Sequence, residues 1–267
     1  MRWRNQSGAW SVPAPSNRSF SWRTALLRMG LSLLLCSMLA TPAFARWKPT
    51  QQALGAVNRG KLVHPSKLHN SRGVKLRFPR NSWGTRRMVD LIQQCAKVVR
   101  KRHRGAHRLL VGDLSRKRGG RLKPHAGHQN GREADIGFYM RRGKPLGGLW
   151  RVGAAQIDAK RTLTLIGCFV SSGELMNIFL DRSLQPPLVK EARKRGWSKR
   201  RIKSTFSWPR GRRSRVGWVQ HRGGHWNHMH VRLKCARHER RCVTRVASRR
   251  RAKRRSRRHR HRVARRR

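Results

Sequence analysis

Acidic residues are nearly missing from this chain: nine Asp and Glu stand against 67 Lys and Arg, for a formal charge of +58 over 267 residues. A surface so one-sided repels itself and attracts polyanions. Nucleic acid, anionic membrane and anionic cell wall are all candidate partners, and charge alone does not choose among them. Scarcity also makes each acid informative, because a carboxylate inside a histidine-rich stretch is not there by composition. Long apolar runs are lacking too: the run Met29 to Ala40 is about a dozen residues, too short to span a bilayer comfortably. There is no Cys-x-x-Cys pair, which argues against a zinc site built from thiolates. Internal repeats and recognised nucleic-acid-binding modules are likewise missing. The hydrophobic content, 37%, is modest but enough for one packed core once the tails are set aside.

What is present begins with an export signal. A basic leader (Arg2, Arg4, Arg18, Arg23, Arg28) precedes the apolar run, and Ala43-Phe44-Ala45 is a small-x-small cleavage site before Arg46. The long leader before Met29 leaves open a start further downstream. Leu33-Leu34-Leu35-Cys36 has some likeness to a lipoprotein site, but the bulky Leu35 before the cysteine argues against it. Cleavage removes Cys36 and leaves Cys95, Cys168, Cys235 and Cys242, an even set that suits two disulfides in an exported chain. Cys235 and Cys242 enclose a short loop and are expected to pair, which leaves Cys95 with Cys168.

Along the exported part, residues 46–80 are polar and basic with few periodic apolar positions, and are expected to be irregular. Met88, Leu91, Ile92, Cys95, Val98 and Val99 fall at i, i+3, i+4 spacing and predict one buried helix face, with Thr85 or Ser82 as its cap. Leu109 to Val111 reads as a buried strand emptying into a mobile basic loop, Arg116 to Gly120. Ala134 to Met140 alternates Ile136, Phe138 and Met140 with Asp135, Gly137 and Tyr139, a strand with Asp135 on its polar face. Arg141 to Pro145 reads as a turn, Leu163 to Val170 as a helix, and Ile178 to Asp181 as a strand. Leu184, Leu188, Val189 and Ala192 predict another helix, ending at Gly196. His228 to Leu233 reads as a strand with His228 and His230 on one face. From Ser248 onward nearly every residue is Arg, Lys, His or Ser, a composition that cannot form a core.

Two clusters carry chemistry. One is Pro124-His125-Ala126-Gly127-His128-Gln129-Asn130-Gly131-Arg132-Glu133-Ala134-Asp135, and the other His225-Trp226-Asn227-His228-Met229-His230. A zinc hydrolase needs three protein ligands and one open position, with neutral imidazole and carboxylate as preferred donors. His128 can leave a Gly-bearing loop, Asp135 can project from the strand that follows, and His230 from an adjacent strand can complete a facial set. His228 then lies beside the open position. The competing reading is that thirteen histidines in so basic a chain are solvated surface residues. Against it stands the combination: His-x6-Asp at a loop–strand junction, a later His-x-His strand, and a rare acid spent at Asp135.

The run from Gly112-Asp113-Leu114 through His125 and His128 to Asp135-Ile136 resembles the central motif of the penicillin-insensitive murein endopeptidases. His228-Met229-His230-Val231-Arg232-Leu233-Lys234-Cys235 resembles their C-terminal motif, including the cysteine that opens a small disulfide loop to Cys242. Ser82-Trp83-Gly84-Thr85 and Ile178-Phe179-Leu180-Asp181 are also similar, so the likeness runs from residue 60 to 243. The resemblance implies an α+β fold of the group shared with lysostaphin-type peptidases, D-Ala-D-Ala peptidases and the hedgehog domain: a small central antiparallel sheet bearing zinc, flanked by helices. It implies His128, Asp135 and His230 as zinc ligands, His125 as a neighbour sometimes counted with them, and His228 and His225 as the catalytic polar groups. Where some relatives carry Glu-x-His, this chain has His228, which suggests that an imidazole moves the proton. The further Asp-x-x-His metal pair of some members is nearest matched by Asp158 and Arg161, and arginine is not a zinc ligand.

The expectation is therefore a zinc metallopeptidase, periplasmic or secreted, that hydrolyses the D-alanyl–diaminopimelyl cross-link of murein (peptidoglycan) peptides. It would have a signal peptide over 1–45, a catalytic domain over 46–245 and a basic tail over 246–267. With no serine nucleophile it should escape β-lactams; Ser171 and Ser172 sit in no Ser-x-x-Lys pattern. The tail is expected to hold anionic cell-envelope polymers and to release them as salt rises. The contrasting class is an Arg-rich nucleic-acid or polyanion binder without catalysis, using the arginines for phosphates and ten tryptophans for stacking. The export signal and the even cysteine count disfavour it, and no nucleic-acid partner is expected. A wall-binding relative without metal is disfavoured because every expected ligand is present.

Overall fold

The computed structural model describes residues 52–141 and 149–247. The leader, the turn expected after Arg141 and the tail from Ser248 lie outside the described residues.

From residue 52 onward, the polar stretch expected to be irregular is organised instead. Strands β1 (Ala53–Ala56) and β2 (Arg59–Leu62) make an antiparallel hairpin, β3 (Ser66–Lys67) follows, and β4 (Val74–Leu76) enters the main sheet. Its order comes from partners far along the chain, which local periodicity does not reveal. The Glu239 carboxylate accepts from the Gln52 and Ala53 backbone N–H groups at 3.3 and 2.8 Å, and Gly55 N–H donates to the Arg241 carbonyl at 2.8 Å.

Strand β5 (Trp83–Gly84) pairs with β3 and leads into helix α1 (Arg86–Arg102). Thr85 caps α1, its hydroxyl accepting from Met88 N–H at 3.3 Å. The helix buries Met88, Leu91, Ile92, Cys95 and Val99, the face its spacing predicts, while Val98 is only half-buried. Then come β6 (Leu109–Val111), β7 (Glu133–Ile136), α2 (Ala159–Ser171), β8 (Leu175–Leu180), α3 (Gln185–Lys194), α4 (Lys199–Thr205), β9 (Val219–His221) and β10 (Met229–Leu233). Asp158 caps α2 by accepting from Arg161 N–H at 2.9 Å and pairs with the Arg161 guanidinium at 2.7 Å. Both contacts hold the start of that helix.

Six strands form the main sheet in the order β4-β6-β7-β10-β8-β9. The central pairings are antiparallel, as expected, but the two edge pairs, β4 with β6 and β8 with β9, are parallel. The sheet is therefore mixed. The strand expected over Ala134 to Met140 is shorter, because regular pairing stops at Ile136 and only Met140 makes one further bridge, to Ile157. The loop expected to be mobile, Arg116 to Gly120, is tied down: Leu62 N–H donates to the Arg118 carbonyl at 3.1 Å and Gly120 N–H to the Gln129 carbonyl at 2.9 Å.

Period-2 alternation splits the sheet into two chemistries. Ala134, Ile136, Ile178, Leu180, Met229, Val231 and Leu233 join the apolar residues of α1, α2 and α3 in one core. The alternate positions Glu133, Asp135, Phe179, His230 and Arg232 are then directed to the other face. Cys95 of α1 bonds Cys168 of α2, and Cys235 bonds Cys242, both pairings as expected.

Candidate metal centre

Asp135 and His230 are placed by sheet register: they are directly paired residues on β7 and β10. His230 Nδ1 lies 3.0 Å from Asp135 Oδ1. His128 comes from the loop before β7 and holds a left-handed backbone, φ 62°, a conformation that non-glycine residues adopt at a cost of about 1–2 kcal/mol. Its neighbour Gly127 packs against the Glu133 carboxylate, which a Cβ there would displace. That closeness lets the His128 backbone N–H donate to Glu133 Oε2 at 2.5 Å. His128 Nε2 comes to rest 3.2 Å from Asp135 Oδ1, and His228 Nε2 reaches the same oxygen at 3.3 Å. His125 stands beside them, its Nδ1 3.7 Å from Asp135 Oδ2.

The second nitrogen of each ring reveals what the first one offers. His128 Nδ1 is 2.8 Å from the Leu114 carbonyl, which only accepts, so Nδ1 carries the proton and Nε2 presents a lone pair. That Nε2 is buried without a hydrogen-bond partner. His228 Nδ1 donates to Asn227 Oδ1 at 2.5 Å, the amide being oriented by its own Nδ2 donating to the Leu149 carbonyl at 2.7 Å. His230 Nε2 donates to Glu133 Oε1 at 2.9 Å, and His125 Nε2 donates to Asp113 Oδ2 at 2.9 Å. Lone pairs of several imidazoles thus face one anionic carboxylate, and only positive charge between them makes that arrangement favourable.

Titration expresses the same demand. Burial works against charge on His230, but Glu133 and Asp135 outweigh it and raise its pKa to about 9. His128 is also raised, against burial, by the Asp135 charge. Burial opposes ionisation of Asp135 and Glu133, yet the surrounding imidazoles, with Arg232 for Glu133, hold both carboxyls well below the usual range. His225 goes the other way: burial, then the neighbouring His230 and His228, lower it to about 4. Its Nδ1 donates to the carbonyls of Arg222 and Gly223 at 3.2 and 3.0 Å, so Nε2 is an acceptor.

Two ligand-capable groups, His125–His128–Asp135 and His225–His228–His230, therefore meet across the β7–β10 pairing. The donors are imidazole nitrogen and carboxylate oxygen, and each ring is fixed by an outer hydrogen bond as metal-ligating histidines usually are. The residues present fit a divalent transition-metal ion. All six expected residues, His125, His128, Asp135, His225, His228 and His230, are brought together.

Sequence reading missed the groups behind them. Glu133 holds His230, His128 and the Arg232 guanidinium, whose Nε donates to Glu133 Oε1 at 2.6 Å. Asp113 orients His125, and Phe179 stacks on His230 with ring centroids 5.7 Å apart. Acid scarcity contained the signal, for three of the chain's nine acids (Asp113, Glu133 and Asp135) meet here. Glu133→Gln removes the charge that fixes His230 and is expected to weaken metal binding about 10–100-fold, the usual effect of losing such an outer partner. Isothermal titration with zinc checks this; unchanged affinity would mean that Glu133 only supports packing.

Residues 53–166 match the family model of the penicillin-insensitive murein endopeptidases. The matched stretch contains His125, His128 and Asp135, whereas His225, His228 and His230 lie beyond it. No curated protein matches the chain.

Proposed function

We propose that this chain, similar over residues 53–166 to the penicillin-insensitive murein endopeptidases, is a zinc-dependent murein endopeptidase that hydrolyses the D-alanyl–meso-diaminopimelyl amide between peptidoglycan strands. The observation that carries the reading is the convergence on Asp135. Imidazoles from inside the matched stretch and from a strand outside it turn ring nitrogens to the same carboxylate. His128, Asp135 and His230 are the ligands in this reading, with His125 alongside. The paired disulfides and the substrate agree with export to the periplasm or beyond the cell. Among the described residues no helix is long and apolar enough to cross a membrane.

Zinc held there supplies Lewis acidity, which makes water nucleophilic near neutral pH and polarises a carbonyl. The protein's own groups do the rest. His228, its Nδ1–H fixed on Asn227, directs a basic Nε2 into the site and takes the proton of the attacking water. It then returns that proton to the leaving diaminopimelyl amine. His225 is neutral at physiological pH, and its Nε2 cannot donate in the tautomer set by Arg222 and Gly223. That favours a role as acceptor beside His228, and disfavours donation to an oxyanion.

Dialysis against a chelator is expected to stop cleavage of cross-linked muropeptide dimers, and stoichiometric zinc to restore it. β-Lactams should leave the rate unchanged. Mass spectrometry of the products reads both the bond and the loss. Full activity in metal-free protein would rule out the mechanism.

A further inference from the structure

Beside the metal centre lies a cavity of about 620 Å³ lined by Arg212, Arg213, Arg215, Arg222, Arg232 and Arg245. It is within the size range of small-ligand pockets. No acidic side chain lines it among the described residues. Arg213, Arg215, Arg222 and Arg245 form no ion pair with any described residue, so their guanidiniums face the cavity's solvent uncompensated. In a chain this basic a solvated charge run would be the ordinary reading. Two features set the groove apart. It is concave, and its floor is continuous with the reaction centre: Phe179 stacks on His230, and the Arg222 and Arg232 guanidiniums lie over the same ring at 5.3 and 5.2 Å. Arg232 is itself fixed by Glu133, the residue that also holds His230. A second cavity of about 540 Å³ shares Arg212 and His221 with the first and is lined by Trp208 and Trp226.

We infer that the arginine groove is a carboxylate-binding subsite that takes one arm of the substrate, the acidic stem peptide with its free D-glutamyl and diaminopimelyl carboxylates. The inference rests on the murein endopeptidase reading. Planar guanidiniums suit bidentate pairing with carboxylates, and an arm anchored there lays the cross-link across the sheet face that carries His230 and Asp135. Phosphate groups of an anionic wall polymer share the charge, but continuity with the reaction centre favours the peptide.

The test uses monomeric tetrapeptides, which lack the cross-link and are bound without being cut. Isothermal titration on the full chain compares a peptide with free carboxylates against one with both amidated. The native protein is expected to bind the amidated peptide about tenfold more weakly, a difference of about 1.4 kcal/mol. The Arg213→Gln/Arg215→Gln/Arg245→Gln variant should bind both alike. A control with the same charge loss, Lys97→Gln/Lys101→Gln/Arg104→Gln on and just after α1, should keep the tenfold preference. Equal affinities in the native protein, a preference that survives in the groove variant, or its loss in the control would each overturn the assignment. So would a groove variant that loses only poly(glycerol phosphate) binding, which would hand the groove to the polymer. Dimer hydrolysis is measured separately, so a failure of the endopeptidase reading leaves the binding result legible.

Discussion

Asp135→Asn is expected to leave the protein folded, strip it of stoichiometric zinc and lower kcat/KM on cross-linked dimers at least ~10³-fold. Asp135 Oδ1 is approached by His230, His128 and His228 at 3.0, 3.2 and 3.3 Å, and its charge is what makes that corner attractive to a cation. An amide of the same shape keeps the packing and can donate to one imidazole lone pair, which relieves the burial of unpaired nitrogens. It cannot supply the anionic ligand. A bound metal contributes several kcal/mol to transition-state stabilisation, and each ~1.4 kcal/mol is tenfold in rate, hence the expected loss. Elemental analysis, thermal melting and dimer turnover read the three consequences separately. A variant that keeps its zinc and its rate would end the assignment of Asp135 as a ligand.

The second large effect concerns His228. Both His228→Ala and His228→Gln should retain a full complement of zinc and lose about 10²–10⁴-fold in kcat, the usual worth of a positioned general base. His228 Nε2 reaches Asp135 Oδ1 nearly as closely as His128 does, so the same geometry would suit a fourth ligand. Metal content separates the two roles. Zinc lost together with activity would make His228 a ligand; zinc kept with activity lost assigns it the proton. Asn227→Ala, which frees the His228 ring from its orienting amide, should lower kcat in the same direction by a smaller factor without touching zinc stoichiometry.

Much of this centre was legible before any fold was drawn, and the reason is local. The spacing of His128 and Asp135 spans a Gly-bearing loop and the strand after it, and the alternation of β10 puts His230 opposite Met229 and Val231. Helix α1 was readable from its apolar spacing, with its cap narrowed to Thr85 or Ser82, of which Thr85 serves, and the two disulfides from cysteine count and loop length. What stayed hidden depends on long-range pairing. The segment 52–80 has no periodicity strong enough to announce strands, and becomes ordered through Glu239 and Arg241, from the far end of the domain. The shortened β7 and the parallel edges of the sheet have the same origin, since each is set by which neighbour a strand finds.

The sequence by itself determined the donor types, the order in which they occur and the alternation that turns Asp135 and His230 away from the core, because those follow from side-chain chemistry and the two-residue period of a strand. Only the tertiary structure decided that Asp135 and His230 would be paired across β7 and β10, that Glu133 and Asp113 would hold the rings, and that arginines from β10 and from the loops flanking β9 and β10 would enclose one groove. Register and loop closure are set by burying one shared core, and that free energy belongs to the whole domain rather than to any local segment.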